Sequence, residues 1–359
     1  MGLSGIAAQV RIIIKWALIG LGGLVFIWVL FISLRALYRV LLPSKEDIPT
    51  IAFGRLPTPT KPNASLSKVE VDLDTPDGSL PSFPKLLEVY PIPQPTGKLN
   101  SLEIATEKAR SLGVNGTPKP LSPTLYQWQD AKSPNRTVSI DIVSGNYNYK
   151  YDWVADQKVI AKTFTETVET EAKSLAKGFF SRDFKGANDL EKGEVRSNYV
   201  NISSSSISRV SSASEANAVE VNLFREKLSK KYDIVGFDPT KSLVNTLVTP
   251  KVGDQQILAA NFIHWIVDFK SASTYPLRSS AQAYQDLKAG KAYIVAGKIA
   301  NLDRIKIVDL KLYYLETEKY SLYLQPVYVF TGNSFAGKAK TAFTAYLPAV
   351  ADSQLKAGP

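Results

Sequence analysis

The feature that most limits what this chain can become is a run of 19 residues without a charge, from Trp16 to Leu34. At about 1.5 Å of rise per residue such a run makes a helix roughly 29 Å long, close to the hydrocarbon thickness of about 30 Å. Ile12, Ile13 and Ile14 carry the apolar character past Lys15, Trp16 and Tyr38 are placed as interfacial aromatics, and Lys15 and Arg35 can snorkel to headgroups. A cleaved signal peptide would have an apolar core of about 7 to 15 residues and then a small-x-small site. Bulky LRALYRVLLP follows instead. The expectation is an uncleaved transmembrane helix over 16–34 behind a short cytoplasmic head, 1–15. Charge does not choose the side, because Arg11 and Lys15 are matched by Arg35, Arg39 and Lys45. The short head, the long carboxy-terminal part and a Pro/Thr-rich segment favour a large domain outside the cytoplasm. Gly20, Gly22 and Gly23 are the candidate helix–helix contact, although true GxxxG spacing is missing.

Proline organises the segment after the apolar run. Of 21 prolines, eleven fall between Pro43 and Pro95. Each removes a backbone donor and biases its predecessor to extended geometry, so 35–98 reads as a juxtamembrane segment and stalk. Within it, Val69 to Leu73 alternates like a strand and ends in the turn Thr75-Pro76-Asp77-Gly78. Asp72, Asp74 and Asp77 lack the spacing and the closing Glu of a calcium loop.

A first helix-plus-meander unit is expected over 99–155. Leu102, Ala105, Ala109 and Leu112 mark one helical stripe ending at Gly113. Thr124 to Trp128, then Val138, Ile140 and Ile142, then Tyr147, Tyr149, Tyr151 and Trp153 alternate as strands around a Gly145-Asn146 turn. A second unit, 271–350, repeats the order. Ser279 and Gln282 suggest a capping box, Gly290 ends the helix, and Val308 to Tyr314, YSLYLQPVYVF and Thr341 to Leu347 follow as strands. Pro326 places its strand at an edge or bulge, and Gly332-Asn333-Ser334 reads as the next turn. The middle region, 156–270, holds an amphipathic helix over Val159 to Phe180, a Ser-rich segment, and the apolar strand candidate Ile257 to Phe269. Residues 351–359 form a tail. The fold class is therefore α+β, with antiparallel sheets built from helix-plus-meander units.

The stretches YPIPQPTGKLNSLEIATEKARSLG, YPLRSSAQAYQDLKAGKAYI and VDLKLYYLETEKYSLYLQPVYVF, behind an amino-terminal anchor, resemble the PepSY-like extracytoplasmic modules of membrane-anchored bacterial regulatory proteins. They cover under half the chain. The resemblance implies a non-enzymatic regulatory or binding role at the cell surface.

The residue inventory narrows the chemistry. With no Cys and a single His, the chain cannot build a Cys-ligated zinc site, an iron–sulfur cluster, a disulfide framework or a multi-His metal centre. Gly332 to Lys338 satisfies G-x-x-x-x-G-K but continues with Ala339 where Ser or Thr belongs and has no following helix, so a hairpin turn is expected. Strand alternation would put His264 on the face of Phe262 and Ile266, with Asp268 too distant to pair. No catalytic, cofactor-binding or metal residue is assigned. From Ile48 onward there are 38 basic and 31 acidic residues, a modest excess that suits anionic headgroups or wall polymers. The lysines are scattered, so nucleic acid is not an expected partner. Tyr147, Tyr149, Tyr151 and Trp153 are the candidate partner surface, for stacking or sugar binding, and a half-buried sheet face accounts for them about as well. The expected partners are the lipid bilayer and a membrane or envelope protein, with the oligomeric state open. The rival reading is a membrane-tethered envelope hydrolase using carboxylates or a Ser-Lys pair.

Overall fold

The computed structural model describes residues 16, 20–35, 37–38, 48–59, 69–160, 168–204, 206–252, 255–296 and 302–356. The chain forms two compact units, Met1–Thr50 and Ile51–Pro359. In the first, residues 20–35 form helix α1, and its large apolar side chains are exposed on every side, from Leu21 and Leu24 through Phe26, Trp28, Phe31 and Leu34. A Cβ added at Gly20, Gly22 or Gly23 would meet nothing within 4 Å. Among the described residues no helix is long and apolar enough to cross a membrane. At about 1.5 Å per residue the described part of α1 makes only roughly 24 Å. Residues 1–15 and 17–19, with the expected head and the start of the apolar run, lie outside the described residues, as do Arg39, Lys45 and the last three residues of the tail.

The second unit is α+β. It begins with strands β1 (Glu70–Leu73) and β2 (Leu86–Pro91), helix α2 (Ser101–Ser111), and strands β3 (Lys119–Pro120), β4 (Leu125–Gln129), β5 (Arg136–Asp141) and β6 (Tyr147–Tyr151). Helices α3 (Val168–Phe180) and α4 (Asn188–Glu191) lead to β7 (Val195–Ile202), β8 (Ile207–Arg209), β9 (Ala218–Leu223), β10 (Ile234–Val235), β11 (Val244–Val252) and β12 (Gln255–Phe262). Strand β13 (Ser273–Pro276), helix α5 (Ser280–Lys288) and strands β14 (Tyr293–Ala296), β15 (Arg304–Leu315), β16 (Tyr323–Ala336) and β17 (Ala339–Pro348) complete it.

Among the described residues these strands make two sheets. The nine-stranded one is antiparallel throughout, in the order β3-β4-β5-β6-β12-β11-β9-β7-β8. Helices α2 and α3 cover one of its faces, burying Ala105, Ala109, Ala172, Ala176 and Phe180 against Trp128, Val138, Val221 and Phe262. The small residues let the helices lie close to the sheet, and the aromatic ones fill the remaining volume. The eight-stranded sheet has the path β1-β15-β16-β17-β14, with β10 on β15 and β2 joining β13 to β16. It is mixed rather than antiparallel, because β1 and β10 both run parallel to β15. Both reach it from far away in sequence, which parallel pairing requires. The two expected helix-plus-meander segments therefore lie in different sheets, α2 with β4 to β6 in one and α5 with β15 to β17 in the other.

Several local expectations change. The middle helix is described only from Val168, since residues 161–167 lie outside the described set. Strand β12 stops at Phe262, so Ile263 to Phe269 is a loop. Strand β16 is interior, between β15 and β17. Pro326 is tolerated there because its carbonyl accepts from Ala349 N–H at 3.0 Å, just past the last β16–β17 pair Val327↔Pro348. Carbonyl and nitrogen of one strand residue face the same neighbour, so the missing N–H falls where β17 has already ended. Gly332 is not a turn either. A Cβ there would sit 2.0 Å from the Lys306 carbonyl oxygen, beside the β15 bulge between Ile307 and Asp309. The turn comes at Gly337, with φ +57°, as expected for a hairpin and not for a phosphate loop.

Among the described residues of the proline-rich segment, the stretch from Ile51 to Leu56 is not a free spacer. Leu56 is fully buried, its N–H donates to Gln354 O at 2.8 Å, and its carbonyl accepts from Lys356 N–H at 2.7 Å. Phe53 N–H donates to the Tyr275 hydroxyl, which donates to Gly54 O. Prolines fix extended segments without demanding ladder bonds, and the side chains between them pack. Leu56→Ala should therefore lower stability by about 2–5 kcal/mol in denaturant titration, the usual cost of a core Leu→Ala change. A spacer would show no change.

Candidate functional site

The tyrosines expected to present a surface are core residues instead. Tyr147 and Tyr149 are 3% exposed and Tyr151 is 6% exposed. Period-two alternation was correct, and the face it selects is the one the helices cover. Tyr147 stacks on Phe262 and donates to Asp183 Oδ2 at 2.9 Å, while Tyr149 meets Phe179 edge-on. Burial, reinforced by the Asp183 charge, pushes the Tyr147 hydroxyl well above its ordinary value. Tyr151 donates to Asp156, and half-buried Trp153 donates from its indole to Ser203 O at 3.3 Å.

The strongest concentration of buried charge lies where the two sheets meet. Arg225 lies just past β9, after Phe224, and its side chain is almost fully buried. Its Nε donates to Asp189 Oδ2 on α4, and its Nη1 donates to Glu316 Oε1 at 2.6 Å and to Trp265 O at 3.2 Å. His264 Nε2 lies 2.9 Å from Asp189 Oδ1, and the His264 backbone N–H donates to Asn146 Oδ1. The Trp265 indole donates to Thr317 O at 2.8 Å. Four charged or titratable side chains from four chain segments thus converge, with Asp189, Arg225 and His264 from the first sheet's side and Glu316 from the end of β15. Burial alone would raise the Asp189 carboxyl, but the His264 hydrogen bond and the Arg225 charge outweigh it and hold it well below the usual carboxylate range. His264 is a positioning partner of Asp189 within this cluster, far from the strand geometry expected of it.

Glu316 also borders a cleft. One depression of about 380 Å³ is lined by Phe237, Asp238, Lys241, Asn245, Asn261 and Glu316, among others. A second, of about 460 Å³, shares Asp238, Lys241, Asn245 and Asn261 with it and extends to Arg209 and Glu220. Glu220 is held between Lys241 Nζ at 3.1 Å and Arg209 Nη2 at 3.4 Å. Asp238 accepts from Thr240 through backbone and hydroxyl. Side-chain amides thus lie in this cleft beside charged groups, of which Glu220 is paired with two cations. Among the described residues no three of His, Asp and Glu converge as metal ligands.

Asp189, Arg225 and Glu316 were missed in the sequence because their partners are 36, 75 and 91 residues apart. The available signal was an arginine abutting the apolar run AVEVNLF. No family model matches the chain, and no curated protein matches it. A solved structure of an uncharacterized protein from Eubacterium rectale, determined at 1.45 Å, is similar over 79% of this chain and 88% of that one, with 11% identity and a TM-score of 0.43. So distant a likeness carries neither fold nor function.

The charge cluster has a pH signature. The folded-state value of Asp189 is depressed, so its stabilisation is present above the unfolded carboxyl value near 3.8 and is lost as pH falls below it. As the pH is lowered from about 4, the melting temperature of the wild type should fall more steeply than that of Asp189→Asn, and the difference should keep growing below pH 3. Arg225→Met should cost about 3–5 kcal/mol at neutral pH, because it strands two carboxylates.

Proposed function

We propose that this chain is a single-pass membrane protein whose body, beginning at Ile51, lies outside the cytoplasm and binds a protein or envelope partner without chemical turnover. One observation carries the membrane part: α1 exposes apolar side chains in every direction. A helix hydrophobic all round belongs in a core or a bilayer, and the uncharged run from Trp16 to Leu34 has bilayer length. Gly20, Gly22 and Gly23, open on their outer sides, are where a second helix could approach within the membrane. The binding part rests on the cleft, where Glu220 is paired with Lys241 and Arg209 among side-chain amides. The resemblance to PepSY-like modules adds regulation of a membrane sensor as the role of that binding. A hydrolase finds less support, because Glu220 is engaged in ion pairs with Lys241 and Arg209 and His264 is committed to Asp189.

The test is alkaline extraction of membranes followed by crosslinking and capture of the full chain. The chain should remain in the membrane pellet, and a discrete crosslinked partner should disappear with Lys241→Glu, which reverses one charge in the cleft. Release into the alkaline supernatant would overturn the anchor. Turnover of a wall or peptide substrate by the purified body, abolished by Glu220→Gln at unchanged melting temperature, would overturn the non-enzymatic reading.

A further inference from the structure

Two loops meet the end of β2 close to where the pinned segment from Ile51 to Leu56 enters the body, and both bring large apolar side chains to the surface. The loop after β12 is tied there by Asp268 N–H, which donates to Pro91 O at 3.0 Å, and by Phe269, which meets Tyr90 edge-on. The loop before β16 is tied to the same place. Ile92 N–H donates to Leu322 O at 2.9 Å, and the Tyr320 hydroxyl donates to Ile92 O at 2.7 Å. Tyr323 pairs with Pro91, and its ring lies 5.0 Å from that of Phe53 in the pinned segment. Within the first loop Trp265 and Val267 turn into the core, which leaves Ile266 outside and 67% exposed. Leu322 is 50% and Phe269 43% exposed. Leu322 also borders a groove of about 490 Å³ whose apolar wall is Pro57, Pro59, Phe237 and Tyr320.

We propose that this face rests on the lipid bilayer, with Ile266, Phe269 and Leu322 reaching into the headgroup layer. The inference rests on the anchor reading given above, and three observations select lipid as the occupant. Ile51 follows Leu34 by only about 17 residues, a tether of at most roughly 60 Å when fully extended. So short a tether makes contact with the bilayer intramolecular, and an interaction too weak to hold a free protein then suffices. Second, the charges of these segments are balanced. Arg55, Lys270 and Lys319 stand against Asp268 and Glu318, with Glu88 held on the Tyr90 hydroxyl. Removal of apolar area from water therefore drives the contact, and no net charge ties the face to an ionic polymer. Third, the apolar side chains stand on two separate loops. A folded partner would need a matching patch of roughly 1,000 Å² or more, whereas a fluid interface needs no complementary shape and admits aromatic and long basic side chains alike.

The chain has no cysteine, so Ile266→Cys, Phe269→Cys and Leu322→Cys can each carry a single environment-sensitive label. Val154→Cys is the reference, because Val154 is 51% exposed but follows the far end of β6, whose Tyr147 pairs with Phe262 beside the first loop. The labelled full chain is placed in phosphatidylcholine nanodiscs with and without brominated acyl chains. Groups seated in the interface lie within about 5–10 Å of the acyl boundary, so brominated lipid should quench the three labels on the order of twofold and spare the one at Val154. A label can itself draw a loop into lipid, so Ile266→Glu with Leu322→Glu serves as a second variant. It should cut the quenching at Phe269→Cys about threefold at an unchanged melting temperature, because a carboxylate resists leaving water. Quenching no greater than at Val154, or quenching at Phe269→Cys untouched by the two glutamates, would overturn the proposal. So would a blue shift of the labels without lipid quenching, which would mark a protein contact instead. Retention in the alkaline pellet without quenching would remove this face and leave the anchor standing, and release by alkali would remove the anchor.

Discussion

The body depends on how Arg225 is neutralised. A guanidinium removed from water costs several kcal/mol unless opposite charges and good hydrogen bonds replace the solvent, and here two carboxylates and a carbonyl do so. Those partners come from both sheets, so the arginine is satisfied only when the loop after β12, helix α4 and the end of β15 are all in place. Replacing the arginine together with its two carboxylates by apolar side chains would avoid that cost, but it would not specify this one arrangement, because hydrophobic contact is non-directional. The cluster therefore fixes how the two sheets meet, and the cleft is a consequence of that meeting. Its wall is formed by Phe237 and Glu316, its floor by Asn245 and Asn261.

The cleft owes its exposure to unequal helix coverage. Both long helices of the first half lie on one face, where alanines let them approach; on the opposite face Val159 and Ile160 pack against Val200, Ala218 and Leu247, and the Phe237–Leu243 segment borders Asn245. Trp128, Tyr147, Tyr149, Phe180 and Phe262 are drawn to the side the helices cover. That asymmetry is why a tyrosine-rich strand such as YNYKY reads as a surface in sequence and is a core strand in three dimensions.

Local structure was legible where the signal was local. The Ser279 cap accepts from Gln282 N–H, Gly290 follows α5 with positive φ, and the alternation of Val219, Val221 and Leu223 marks β9. The limits appear where a residue's meaning lies in a distant partner. Alternation finds a strand but not which of its faces a helix will cover, and this misplaced Tyr147, Tyr149 and Tyr151. Proline content signals missing donors, yet it does not separate a spacer from an extended segment pinned by side chains such as Leu56. The candidate site was less visible still. Asn148, Asn245 and Asn261 stand on three strands far apart in sequence, and only the register aligns them. The long-range pairing of Asp189 with His264 left no sequence trace at all.

The strap from Ile51 to Leu56 has a mechanical meaning. Leu56 bridges to Leu355 in parallel, Ala52 and Phe53 are held by Ser273 and Tyr275, and Arg278 grips the tail through Val350 O and Asp352. Tension arriving along the chain from its amino-terminal side is thus not delivered to the middle of either sheet. It loads the strap, β13 and the carboxy-terminal tail together, so several bonds share the force before a central strand is reached. The two ends of the body behave as one fastening, and clipping the tail would loosen the collar through which the rest of the molecule is held.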